Sequence, residues 1–316
     1  MRKKIAIIDM GTNTFHLLIA EDDEKGQYRI THRERLAAKI GKGGINEGYI
    51  TESGLNRALA AMHSFKQIID REGVSKTFAF GTSALRNASN KEEVLQKIKI
   101  ETGIDAEIIS GEVEAEYIYR GVRYSLDMGD EKSLIIDIGG GSVECIIGNS
   151  TQIFWKESFE IGAQRLLERY QKNDPITKLE IATLGQHFEK ALKTLFEALQ
   201  KHKTSVLIGA SGTFDTLSDI FCYQRDIAMS YRQKETPLTL DAFYEIYEAI
   251  ISKNRRQRMQ IPGMIEMRVD MIVVACCLVR YILSRHSFAH IRVSTYSLKE
   301  GVLESLTHTS RERLQN

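Results

Sequence analysis

Two hydrophobic periods alternate along the chain. Residues 5–8 form a short β-branched apolar run, which predicts a buried strand. Residues 15–20 and 27–36 predict two more. Between the first two stands Asp9-Met-Gly-Thr-Asn-Thr14, a turn signal. A loop rich in glycine follows (Gly41, Gly43, Gly44, Gly48). Thr51 then predicts the cap of a long helix, because Leu55, Leu59, Met62, Phe65 and Ile69 recur at helical spacing. A strand at 77–80, a helix at 91–101, a strand at 106–109 and a helix from Ser110 to about 126 complete the first half. The pattern then restarts. Lys132-Ser-Leu-Ile-Ile-Asp137 echoes Lys4-Ile-Ala-Ile-Ile-Asp9, and each run ends in Asp before a turn and a second strand. This is one duplication of a supersecondary unit, too widely spaced for a solenoid. Strands up to 158, helices at about 162–170 and 177–203, a strand at 205–208 and a mostly helical remainder with a strand near Ile291 follow. The repeated β-β-β-α-β-α order predicts two α/β domains flanking a cleft.

Composition narrows the class. The 316 residues fit one large domain or two ordinary ones, each of about 100–200 residues. Lys and Arg number 43 against 42 Asp and Glu, a formal charge of +1. That excludes a basic nucleic-acid coat and an acidic tail, though not a local basic cleft. Cys145, Cys222, Cys276 and Cys277 form no C-x-x-C pair, so neither a zinc site nor a disulfide framework is expected. Met1-Arg2-Lys3-Lys4 resembles the start of a signal peptide, but Asp9 breaks the apolar stretch behind it. The longest apolar run, about 271–279, stops at Arg280, far short of the ~20 residues of a membrane helix. A cytoplasmic, soluble protein is expected, with no nucleic-acid or membrane partner.

Three glycine- or hydroxyl-rich turns carry the candidate chemistry: Asp9-Met-Gly-Thr-Asn-Thr14, Asp137-Ile-Gly-Gly-Gly-Ser142 and Gly209-Ala-Ser-Gly-Thr213. Such turns expose consecutive backbone N–H groups, which bind phosphate oxygens. One alone reads as a hairpin turn; three in one chain, two of them behind an Asp, point to a ligand. Neither a Rossmann fingerprint nor a P-loop is present, because Gly139-Gly-Gly leads into a strand and no G-x-x-x-x-G-K-[ST] occurs. Asp137 and Glu144 flank one hairpin, and Glu114 lies in the first turn of a helix. Hard oxygens beside a phosphate nest suit Mg²⁺. For Glu114 a capping or dipole role is an equal reading. Cationic candidates are Lys39, Arg86, Arg165 and Arg268. The run Lys253-Asn-Arg-Arg-Gln-Arg258 reads first as a solvated face and second as a grip for a long anion. His16, on an apolar strand, reads as a core residue.

These motifs, in this order, resemble the exopolyphosphatase / guanosine pentaphosphate phosphohydrolase (Ppx/GppA) family. They are Asp9-x-Gly-Thr-Asn-Thr-Phe-His-Leu, Thr82-Ser-Ala-Leu-Arg-Asn-Ala88, Ile109-Ser-Gly-Glu-Val-Glu-Ala115, Asp137-Ile-Gly-Gly-Gly-Ser-x-Glu144, Gly162-Ala-x-Arg165, Gly209-Ala-Ser-Gly-Thr213, Arg268-x-Asp270 and Ser297-Leu-Lys-Glu-Gly301. The resemblance implies two ribonuclease-H-like domains of the actin, Hsp70 and sugar kinase superfamily. Their expected extents are 1–125, with a final helix at about 302–316 packing back on it, and 126–301. It implies Mg²⁺-dependent hydrolysis of a terminal phosphate, with Glu114 as base and Asp137, Glu144 and Asp9 as catalytic or metal-site acids. Phosphate would be bound by Gly11, Thr12, Asn13, Thr14, Gly139, Gly140, Gly141, Ser142, Gly212, Thr213, Arg86 and Arg268. Val113 and Val143 stand where an acid and a Thr are common, and Lys39 and Lys299 replace frequent arginines. The length matches short members of the family that lack a C-terminal helical domain.

The expected activity is therefore an exopolyphosphatase acting on inorganic polyphosphate. Guanosine pentaphosphate is the alternative substrate. A nucleotide-dependent kinase or Hsp70-like switch, and an idle polyphosphate or nucleotide sensor, are the rival classes. The oligomeric state is left open, a homodimer included.

Overall fold

The computed structural model describes residues 3–23, 27–228, 230 and 233–315, the last eight by backbone alone. Met1, Arg2 and Asn316 thus lie outside the described residues. The chain divides into two compact units: Met1–Gly121 with Leu298–Asn316, and Val122–Ser297.

In the first unit β1 (Lys4–Met10), β2 (Phe15–Asp22) and β3 (Tyr28–Leu36) form antiparallel hairpins. After α1 (Glu52–Arg71), β4 (Lys76–Gly81) pairs parallel with β1. Then α2 (Ser83–Arg86) and α3 (Lys91–Thr102) lead to β5 (Ala106–Ile108), parallel to β4, and to α4 (Gly111–Ser125). The sheet order is β3-β2-β1-β4-β5. Strand alternation decides which side chains reach the helices. Ala6, Ile8 and Met10 of β1 join Met62 and Phe65 of α1 and Val94 and Ile98 of α3 in one core. Thr51 caps α1, its hydroxyl accepting from the Gly54 N–H at 3.0 Å. The division between the units falls inside α4, so no composition break marks it.

The second unit repeats the plan. Here β6 (Ser133–Ile138), β7 (Val143–Gly148) and β8 (Ile153–Phe159) are antiparallel neighbours. Helices α5 (Ala163–Tyr170), α6 (Lys178–Ala191) and α7 (Lys193–Lys201) precede β9 (Val206–Ala210), which is parallel to β6. Then come α8 (Ser211–Gln224), β10 (Glu235–Thr236), α9 (Leu240–Ile251), α10 (Arg255–Arg258), α11 (Ile272–Arg285) and β11 (His290–Ser294). The order β8-β7-β6-β9-β11 matches β3-β2-β1-β4-β5, with β10 added at the edge. The final helix α12 (Leu298–Gln315) belongs to the first unit and lies against β1.

Two local readings of the sequence are corrected. The single helix expected at 177–203 is two, broken at Leu192 (φ −100°, ψ 18°). The break lets α6 bury Leu184 and Phe188 while α7 buries Leu195, Ala198 and Leu199 in the same core. The basic run at 253–258 is solvated at Arg255, Arg256 and Gln257 but not at Arg258. Arg258 is 1% exposed and donates to Asp174 (2.6 Å) and to the carbonyls of Lys253 (2.5 Å) and Val269 (3.0 Å). Arg255 pairs with Asp270 and Glu266.

Candidate active site

In the second unit, Asp137 and Glu144 are direct register partners across β6 and β7. Side chains so paired share a face, with Cβ atoms about 4.5–5.5 Å apart. Both acids are buried, 6% and 1% exposed. The Ser158 hydroxyl, opposite Glu144 on β8, donates to its Oε1 at 2.7 Å. Asp137 Oδ2 accepts from the hydroxyls of Ser211 and Ser297, both at 2.5 Å. The neighbouring Cys145 is no nucleophile: burial first, then the charges of Glu144 and Glu157, push its thiol well above the ordinary range.

The hairpin loop joining the two acids is held by the start of α5. The carbonyls of Gly139, Gly140 and Gly141 accept from the N–H groups of Ala163 (2.9 Å), Gln164 (2.8 Å) and Gly162 (3.0 Å). A trans peptide points its C=O and N–H in opposite directions. The N–H groups of Gly140, Gly141 and Ser142 therefore face away from α5. The helix N-terminus, with its partial positive charge, polarises these peptides in the sense that favours an anion. Gly162 permits this approach, since a Cβ there would fall 2.4 Å from the Gly141 carbonyl carbon. Arg165 serves as a strut, its Nε on the Gly141 carbonyl (2.8 Å) and its Nη2 on Glu160 (3.1 Å).

Gly212 and Arg268 also come together. The guanidinium lies over the Gly212 Cα, where a Cβ would sit 2.0 Å from Nη2. Thr213, in the first turn of α8, is buried.

The first unit carries the related loop. Asp9, next to the end of β1, lies opposite half-buried His16 on β2, so His16 occupies the position that Glu144 holds in the second unit. Gly11 opens the turn, and Thr12, Asn13 and Thr14 are buried. Here the loop carbonyls are tied by a following segment: Lys39 N–H donates to Asn13 O (2.9 Å) and Gly41 N–H to Thr12 O (3.1 Å). The N–H groups of Asn13 and Thr14 consequently face the other way. The Thr12 Oγ1 is buried without a hydrogen-bond partner among the described residues, which marks a place for a polar ligand atom.

Glu114 and Arg86 are joined. Arg86 Nη1 donates to Glu114 Oε2 at 2.8 Å and to the Ile109 carbonyl at 3.2 Å. With 16% and 10% side-chain exposure, the pair is largely shielded. The N-terminal capping contact in α4 is made by Ser110, whose hydroxyl accepts from the Val113 N–H (3.2 Å).

Ser158, Ser211 and Ser297 also contact the acids, and the sequence reading does not single them out. Ser211 and Ser297 stand in quoted motifs, but 74 and 160 residues separate them from Asp137. No group of three or more His, Cys, Asp or Glu able to hold a metal occurs among the described residues. Asp137 and Glu144 nonetheless fit Mg²⁺, which takes one or two carboxylates and completes its shell with water and phosphate oxygens.

Two sheets of one ribonuclease-H-like topology, each with a strand-end acid and a backbone cradle, define a protein of the actin-like ATPase fold class. Residues 18–310 match the model of the Ppx/GppA phosphatase family, and the chain belongs to that family. Family members are phosphoanhydride hydrolases. An exopolyphosphatase from Cytophaga hutchinsonii superposes with a TM-score of 0.94 at 43% identity, covering 97% of this chain and 98% of that one. The Aquifex aeolicus family member gives 0.78 at 25% identity, covering 98% and 99%. Exopolyphosphatase 1 of Mycobacterium tuberculosis is 25% identical over 301 residues, 95% of this chain and 87% of that protein.

Proposed function

We propose that this protein is an exopolyphosphatase that releases orthophosphate from the end of inorganic polyphosphate with Mg²⁺ as cofactor. The observation that carries the reading is the hairpin of the second unit. One loop joins two buried, facing carboxylates to a row of outward N–H groups braced by a helix start. That is a place for a phosphoryl group and a hard cation together. The names of the relatives that are exopolyphosphatases support the substrate class.

Each group has a role in this reading. The N–H groups of Gly140, Gly141 and Ser142 bind phosphate oxygens, and the loop of Gly11, Thr12, Asn13 and Thr14 does the same in the first unit, with the Thr12 hydroxyl as a further donor. Arg268, seated on Gly212, adds positive charge beside Thr213. Asp137 and Glu144 would hold Mg²⁺ in the second unit, and Asp9 is the corresponding acid of the first; when bound, the ion would neutralise charge on phosphate oxygens. Glu114, oriented by Arg86, receives the proton of the attacking water. Positioning and charge stabilisation carry most of a phosphoryl transfer to water. The four cysteines, all free and buried, support a reducing, cytoplasmic setting.

The test is orthophosphate release from long polyphosphate, tripolyphosphate and guanosine pentaphosphate, with Mg²⁺ and with EDTA. Release from polyphosphate that EDTA abolishes is expected. Release from guanosine pentaphosphate alone would move the protein to the sister activity. Phosphate transfer to a hydroxyl acceptor, or no turnover at all, would overturn the hydrolase reading for this chain.

A further inference from the structure

We propose that Ser211 and Ser297 are positioning residues that fix the Asp137 carboxylate for Mg²⁺, an inference that rests on the metal role assigned to Asp137 above. Ser211 opens α8 with φ 65°, in the left-handed region. Side chains other than glycine are strained there, and such residues persist where the surroundings over-determine them. Glycine would relieve the strain. What serine adds is a hydroxyl, and it lies 2.5 Å from Asp137 Oδ2.

Ser297, the last residue of the second unit, reaches the same oxygen at 2.5 Å. The two hydroxyls are 3.2 Å apart. Each carries one proton, so both short contacts to Asp137 require both protons to point at the carboxylate. With two donors on Oδ2, the carboxylate cannot rotate about χ2 without breaking both bonds. Its orientation relative to Glu144, fixed on the neighbouring strand by Ser158, is thereby set. The strain at Ser211 and the convergence of two hydroxyls from segments far apart in the chain serve one carboxylate. Hydrogen bonds of this kind to a metal-binding carboxylate typically account for about 10–100-fold in metal affinity or activity.

The experiment uses the full chain and Mg²⁺ alone, without substrate. Mg²⁺ binding is read by calorimetric titration and by the Mg²⁺-dependent rise in melting temperature. Ser211→Gly and Ser297→Ala are compared with the parent and with Asp137→Asn. The Mg²⁺ midpoint should rise about 10–100-fold in each serine variant. Turnover should recover substantially at high Mg²⁺. Metal-free Ser211→Gly should melt near the parent temperature, because the relieved strain offsets the lost hydrogen bond to a buried carboxylate. A purely structural role predicts the opposite pattern, a lower melting temperature with an unchanged Mg²⁺ midpoint, and that result overturns the proposal. If Asp137→Asn raises the midpoint and neither serine variant does, the clamp is wrong and the metal assignment stands. If Asp137→Asn itself binds Mg²⁺ like the parent, the metal assignment falls and the clamp with it.

Discussion

Replacing Gly162 by alanine isolates the brace under the loop from Gly139 to Ser142. Gly162 has φ −62° and ψ 162°, a backbone that any residue adopts, so the effect of a methyl group there is purely steric. An added Cβ would lie 2.4 Å from the Gly141 carbonyl carbon and 2.5 Å from the Gly140 carbonyl carbon and oxygen. Ordinary carbon contacts begin at about 3.5 Å, so the loop must retreat by about 1 Å. Those atoms are backbone and no rotamer change relieves the overlap. The three N–H···O=C bonds from α5 to the loop would stretch together. At about 0.5–1.5 kcal/mol each, partial loss of the set costs about 1–3 kcal/mol of stability. A misplacement of about 1 Å at a positioning group costs on the order of 100-fold in rate. Steady-state orthophosphate release from long polyphosphate at saturating Mg²⁺, measured well below the melting temperature, should show that loss in kcat. Parent-like turnover in a folded Gly162→Ala protein would show that the loop does not position the phosphate.

Three further outcomes are expected. Glu114→Gln keeps an acceptor for Arg86 but cannot take a proton, so kcat should fall by about 10²–10⁴ with little change in melting; intact turnover with a lowered melting point would make the pair structural. Arg258→Met should destabilise toward the low end of about 3–5 kcal/mol, because Arg258 is buried but Asp174 is 37% exposed, and turnover per folded molecule should hold; reduced turnover at unchanged stability would restore the anion-grip reading. Glu180 supplies the pH test. Burial raises its carboxyl, but donation from the Thr177 N–H and hydroxyl and from the Lys172 and Asn173 N–H groups outweighs it, holding the pKa at about 2 against 4.5. A depressed folded pKa stabilises above the unfolded value and loses that stability as pH falls through the folded one. Glu180→Gln should therefore melt below the parent at neutral pH, with the gap closing from pH 4.5 towards about 2; a gap independent of pH would refute it.

Much of this architecture was written locally. The strand runs ending at Asp9 and Asp137 are contiguous apolar segments, and the turns behind them are short, so sequence neighbours decide their structure. The pairing of Asp137 with Glu144 followed from seven residues of hairpin spacing. What stayed hidden depends on long-range burial. Leu192 breaks a helix with neither glycine nor proline, because the core wants both flanking faces. Arg258 looks like any residue of a basic run until Asp174 and two carbonyls enclose it. The family resemblance assigns Arg86 to phosphate and Glu114 to the base, and nothing in the 28 residues separating them announces that they meet. The left-handed conformation of Ser211 has no sequence signature, since the glycine that usually marks one stands a residue later.

The loop from Gly139 to Ser142 has one more consequence. In the proposed role, its attraction for an anion comes from peptide dipoles held by other peptides, with Arg165 as a charged brace. A peptide N–H neither gains nor loses a proton near neutrality, and an arginine stays charged throughout that range. The cradle is therefore blind to acidity. Any pH profile that the enzyme displays must be written by its titratable side chains and by the ionisation of its substrate, leaving the cradle as the constant against which those titrations can be read.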